Sequence, residues 1–87
     1  EMYMSRSSFQ KKFIRYFGMS PIEYRTKKRL KKAKLLLENT DIPIKEISDS
    51  LAFYDIAYFY KAFKREYGFT PNAYREIKKT FFSAAIY

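Results

Sequence analysis

Residues 9–25 read FQKKFIRYFGMSPIEYR, and residues 59–75 read FYKAFKREYGFTPNAYR. Phe9, Phe13, Gly18, Pro21, Tyr24 and Arg25 recur, fifty positions later, as Phe59, Phe63, Gly68, Pro71, Tyr74 and Arg75. Phe17 and Ser20 recur conservatively as Tyr67 and Thr70. An internal repeat fixes architecture, because each copy is one supersecondary unit. Two equivalent surfaces at a set separation suit a partner that is itself periodic.

Each copy marks its own helices. In the first, Ser5 is the expected N-cap of a helix over 6–17. Phe9, Phe13, Tyr16 and Phe17 share one face at the helical period. Gly18 stands where a left-handed C-cap is expected. Ser20-Pro21-Ile22-Glu23 then supplies an N-cap, a proline at the first helical position and a capping-box glutamate. In the second copy Asp55 caps a helix to about Tyr67, Gly68 ends it, and Thr70-Pro71 starts the last helix. Ala73 stands where the first copy has Glu23. The aromatic stripes of both copies, Phe9 and Phe13 as well as Phe59 and Phe63, read as core rather than as a base-stacking platform.

Between the copies a long helix is expected over 21–38. Ile22, Thr26, Leu30, Ala33, Leu36 and Leu37 fall on one side of it, and Lys27, Lys31 and Lys34 opposite, as a solvated face. Arg29 lies within the apolar arc, where it is expected to tie the two halves together through a carboxylate or carbonyl. A short helix follows over about 44–50, and 51–54 turn into Asp55. Short helix, tight turn and second helix form a helix-turn-helix signature. Residues 1–20 then read as a partial first unit, 21–38 as a linker helix and 39–79 as a second unit with its final helix. Residues 80–87 (TFFSAAIY) form an apolar tail: a helix extension, a sticky exposed end or an expression artefact.

Composition narrows the function. The 87 residues suffice for one small domain, and 47% hydrophobic content with nine Phe and nine Tyr supplies its core. The net charge of +9, from 18 Lys and Arg against 9 Asp and Glu, points to a polyanionic partner. There is no cysteine, hence no disulfide or thiolate metal site, and no histidine. With no Gly-rich phosphate loop and no paired carboxylates, an enzyme is excluded, and no cofactor or metal site is expected. No apolar run approaches a membrane span. These features together suggest a cytoplasmic protein.

The residues Arg29-Leu30-x-x-Ala33-x-x-Leu36-Leu37, Ile44-x-Glu46-Ile47, Phe53-x-Asp55-x-x-Tyr58-Phe59-x-Lys61-x-Phe63-Lys64 and Gly68-x-Thr70-Pro71-x-x-Tyr74-Arg75 stand in register. In these the chain resembles the C-terminal DNA-binding domain of AraC/XylS-type bacterial transcription regulators. The resemblance implies an all-α fold of two helix-turn-helix subdomains joined by a long linker helix, each placing a recognition helix in the major groove. It implies double-stranded DNA as partner, with RNA polymerase and a sensing or receiver domain of the full-length protein as further ones. Two residues depart from the pattern, Ser48 for a small Ala and Ala52 for the turn Gly; both are expected to strain the second turn. The chain also starts too late for the helix that precedes the first unit, so that unit is expected to be incomplete and N-terminally truncated.

The helical wheel alone selects the outward residues. In helix-turn-helix docking the N-terminal part of the recognition helix meets base edges. That part carries Ser7, Gln10 and Lys11 in one copy, and Ala57, Tyr60 and Lys61 in the other. Gln pairs bidentately with adenine, Lys reaches guanine, and Ala packs on a thymine methyl. Arg15, Lys64 and Arg65 lie further along and suit phosphates, as do Ser5, Ser20 and Thr70 through helix N-termini. Tyr24, Arg25, Tyr74 and Arg75 read as structural. A linker helix of roughly 27 Å, with its flanking units, bridges adjacent major grooves about 34–36 Å apart. The competing reading is a non-specific basic nucleic-acid-binding or interaction module.

Overall fold

The computed structural model of the chain describes residues 6–86, with the backbone alone described at residue 6 and residues 81–86. Five helices follow one another: α1 (Arg6–Phe17), α2 (Pro21–Asn39), α3 (Ile44–Ser50), α4 (Ile56–Tyr67) and α5 (Pro71–Ile86). There is no strand among the described residues. The molecule is elongated, 61 × 25 × 19 Å. The N-cap expected at Ser5 lies outside the described residues. The backbone of the apolar tail continues α5 as a helix through Ile86.

The sequence repeat is also a repeat of geometry. Gly18 and Gly68 both take the left-handed conformation, φ 77° and 85°. Each donates its N–H at 2.7 Å to a carbonyl four residues back, Ile14 and Lys64. Ser20 Oγ accepts from Glu23 N at 3.2 Å, and Thr70 Oγ1 from Ala73 N at 3.2 Å. Two ring pairs match closely, Phe9–Phe13 at 5.8 Å with Phe59–Phe63 at 5.9 Å and Phe13–Tyr24 at 5.5 Å with Phe63–Tyr74 at 5.6 Å, whereas Phe17–Tyr24 at 4.9 Å and Tyr67–Tyr74 at 6.3 Å differ. Even the cations placed over the last ring recur, Lys28 over Tyr24 at 5.5 Å and Lys78 over Tyr74 at 5.7 Å.

Burial does not repeat. Phe59 and Phe63 are fully buried within a core of Leu30, Ala33, Leu37, Ile44, Ile47, Phe53 and Tyr74. Each such side chain contributes about 2–3 kcal/mol of transfer free energy. Phe9, by contrast, is 45% exposed, and Phe17 is exposed too. The expectation that both stripes are core therefore holds for the second only. The reason lies in the neighbours. The second stripe is covered by α3 and the C-terminal half of α2, whereas the first meets α2 along a shallow groove that runs from Pro21 and Tyr24 to Arg29.

Tyr74 and Arg75 fix α5 on the end of α2, and Lys78 pairs with Glu38 at 4.0 Å. The Tyr74 hydroxyl donates to Glu38 Oε2. Arg75 donates to the carbonyls of Leu37 (3.4 Å) and Thr40 (3.1 Å), satisfying acceptors that the end of α2 leaves open. Burial, then the Glu38 hydrogen bond and charge, push the Tyr74 phenol well above its ordinary value. Its proton is held more tightly in the folded chain than in the unfolded one. The resulting stability is complete below about pH 10, where the unfolded phenol titrates, and declines as pH rises above it.

Two outcomes follow. In urea denaturation, Phe59→Ala destabilises by about 3–5 kcal/mol, and Phe9→Ala by less than about 2 kcal/mol, despite their equivalent positions. In thermal melts between pH 8 and 11.5, Tyr74→Phe flattens the alkaline decline seen in the parent chain.

Candidate nucleic-acid interface

The turn from α3 to α4 sets how α4 is presented. Leu51 N–H donates to Ile47 O (3.1 Å), Ala52 N–H to Asp49 O (3.1 Å) and Phe53 N–H to Ser48 O (3.2 Å). Ala52 takes φ 61°, the left-handed region that disfavours a side chain. The strain anticipated there is thus present. Ser48 is fully buried, and its Oγ has no hydrogen-bond partner among the described residues. The two departures from the family pattern, Ser48 inside α3 and Ala52 in the turn that follows, each carry an energetic cost. Asp55 then caps α4, its Oδ1 accepting from Tyr58 N at 2.7 Å.

From that cap α4 presents Ala57, Lys61, Lys64 and Arg65 to solvent. Tyr60 is different. It packs against the core, and its hydroxyl accepts from Asn72 Nδ2 at 3.0 Å. The structure thus places Tyr60 beside the outward face, with its tip held on α5. On α1, Ser7, Gln10, Lys11 and Arg15 are all exposed. Ser5 lies outside the described residues.

The two helix starts differ in charge. At α2 the Ser20 N–H donates to Glu23 Oε1 at 3.2 Å, completing a capping box. A carboxylate already occupies that positive pole, which disfavours phosphate there. At α5 Ala73 stands in place of Glu23, so the helix start at Thr70 holds no such carboxylate.

The linker lysines are more engaged than a solvated face would be. Lys27 pairs with Glu66 at 3.4 Å, tying α2 to α4. Lys34 lies 5.2 Å over the Tyr67 ring. Lys31 is exposed as expected. Arg29 makes no hydrogen bond or ion pair among the described residues; it lines a shallow groove with Phe9, Phe13 and Tyr24. The tie expected of it is made instead by Lys27, Tyr74 and Arg75. Tyr24 and Tyr74 take the structural places foreseen for them, in the two aromatic stacks. Sequence reasoning missed Asn72 and Ile56. Asn72 acts across elements, with no local signal. Ile56 is 39% exposed at the tip of α4, and its position immediately before Ala57 was the available clue.

The chain matches the helix-turn-helix domain family over residues 1–77. It is similar to the RCS-specific HTH-type transcriptional activator RclR of Escherichia coli, 38% identical over 74 residues, which are 85% of this chain and 26% of that protein. Among solved structures it is similar to the C-terminal domain of the two-component response regulator yesN from Fusobacterium nucleatum. That likeness has TM-score 0.77 and 38% identity, covering 83% of this chain and 70% of that one. It is also similar to the DNA-binding domain of AdpA, determined in complex with a target DNA, with TM-score 0.84 and 29% identity over 90% of this chain and 70% of that one. The chain spans about a quarter of the length of the curated relatives it matches.

The strained turn gives a test independent of DNA. Ala52→Gly stabilises the chain by about 0.5–1 kcal/mol, since Gly adopts this conformation without penalty. Ser48→Ala stabilises by about 1 kcal/mol by removing a buried unpaired hydroxyl. Chemical denaturation reads both.

Proposed function

The chain belongs to the helix-turn-helix domain family, in its AraC/XylS-type branch, and from this we propose that it reads two successive major grooves on one face of double-stranded DNA. It is a DNA-binding module rather than an enzyme. The observation that carries this reading is the pair of exposed polar and basic faces on α1 and α4, built on one geometry and braced by a single helix. α2 has 19 residues and is roughly 28 Å long. Together with the width of its flanking units, that length suits the groove-to-groove spacing of about 34–36 Å.

In this reading Ser7, Gln10 and Lys11 meet bases of one half-site, and Ala57, Tyr60 and Lys61 those of the other. Gln10 supports adenine readout and Lys61 guanine readout by their donor and acceptor patterns. Arg15, Lys64, Arg65 and the α5 start at Thr70 clamp phosphates, with Ser5 and Ser20 as lesser contacts. Such contacts set register without reading sequence. The longer protein is a cytoplasmic transcription regulator whose sensing or receiver domain governs this module and whose bound form engages RNA polymerase.

Footprinting on duplexes selected from a random pool gives two protected segments about one helical turn apart. Lys61→Ala weakens binding by about 1–3 kcal/mol and relaxes sequence preference in one segment only. Lys64→Ala weakens all duplexes alike and lowers the salt slope by about one. Protection of a single groove, unaffected by Lys61→Ala, would contradict the two-groove reading.

A further inference from the structure

The first turn of α4 presents apolar side chains that the core does not use. Ile56 is 39% exposed, Ala57 is exposed, and neither joins the buried cluster or the residues packed on it. Tyr60 and Lys61 follow at i+4, so the four residues make one patch over two helical turns. A β-branched residue at an exposed helical position adds nothing by propensity. The tip is also unsuited to phosphate. The Asp55 carboxylate caps it, accepting from Tyr58 N at 2.7 Å, so an anion already satisfies the positive pole of α4. The group that complements this tip is therefore apolar and uncharged. On the major-groove edges of the four bases, one group fits that description, the C5-methyl of thymine.

We propose that Ile56 and Ala57 read thymine methyl groups in the half-site occupied by α4, with Lys61 on a neighbouring guanine. This rests on the reading above that α4 enters a major groove. Tyr60 does not compete for the same methyl, because Asn72 holds its hydroxyl at 3.0 Å on the α5 side. The first copy does not share the device. Fifty positions earlier, Arg6 and Ser7 stand in place of Ile56 and Ala57. Methyl reading therefore belongs to one half-site and gives the whole site a direction.

The test uses the 87-residue chain and duplexes enriched by it from a random pool. Each thymine of the α4 half-site, located by footprinting, is replaced singly by uracil, which lacks the methyl but keeps the pairing edge. The expected result is a loss of about fourfold or more at one or two positions, the scale of one buried methyl. The Ile56→Ser chain is expected to lose discrimination at the thymine read by Ile56 and to keep it at the one read by Ala57. Indifference of the parent chain to uracil at every position of that half-site overturns methyl reading and leaves DNA reading intact. Undiminished discrimination by Ile56→Ser overturns the role of Ile56. Failure of any duplex to be enriched overturns sequence-specific reading itself, and methyl reading with it.

Discussion

α2 belongs to both halves of the molecule. Through Pro21 and Tyr24 it is the closing helix of the first unit, the counterpart of α5 in the second. Through Leu30, Ala33 and Leu37 it is also the floor of the second unit's core. One continuous hydrogen-bonded rod thus carries two aromatic stacks, one at its start and one toward its end. The placement of α4 depends on this double use. Its inner face rests on Leu30 and Leu37, Lys27 holds Glu66, and α5 is tied back by Tyr74 and Arg75. Among the described residues α1 meets α2 chiefly through rings, Phe13 and Phe17 on Tyr24.

That difference separates local geometry from stability. The two stacks agree to about a tenth of an ångström at Phe13–Tyr24 and Phe63–Tyr74, yet one is sealed and the other open. Ring geometry is set by helix spacing and a left-handed glycine, which need only neighbouring residues. The free energy of burial needs a further element on the outer side, and α3 supplies it for α4 alone. The second unit also bears the energetic costs of the structure, the left-handed Ala52 and the unpaired Ser48 hydroxyl. It tolerates them because Phe59, Phe63, Ile47 and Leu30 contribute several times as much.

Much of this was legible in the chain itself. Gly18, Gly68, Ser20, Asp55, Thr70, Pro21 and Pro71 act within four residues of their own positions, so their roles follow from spacing. The period of Leu30, Ala33 and Leu37 located the buried side of α2 for the same reason, although Ile22, placed on that side too, is 69% exposed. What was not legible depends on contacts between distant segments. Nothing near Phe9 signals that it stays exposed. Nothing near Arg29 signals that Arg75, 46 positions later, makes the tie expected of it. The outward residues of α1 and α4 followed from the wheel. The tether of Tyr60 to Asn72 did not, because it joins two helices across a turn.

The shared helix has a consequence for how such a chain can change. A residue inserted into the middle of α2 advances everything beyond it by about 1.5 Å and turns it by about 100°. One insertion would therefore swing α4 around the axis relative to α1, and point the two reading faces in different directions. No combination of one or two insertions restores the phase; only about a full turn does, and then the separation has grown by roughly 5 Å. Substitutions on α1 and α4 leave this relation untouched. The outward faces are thus free to change residue by residue, while the helix between them behaves as a gauge block whose length admits no small adjustment.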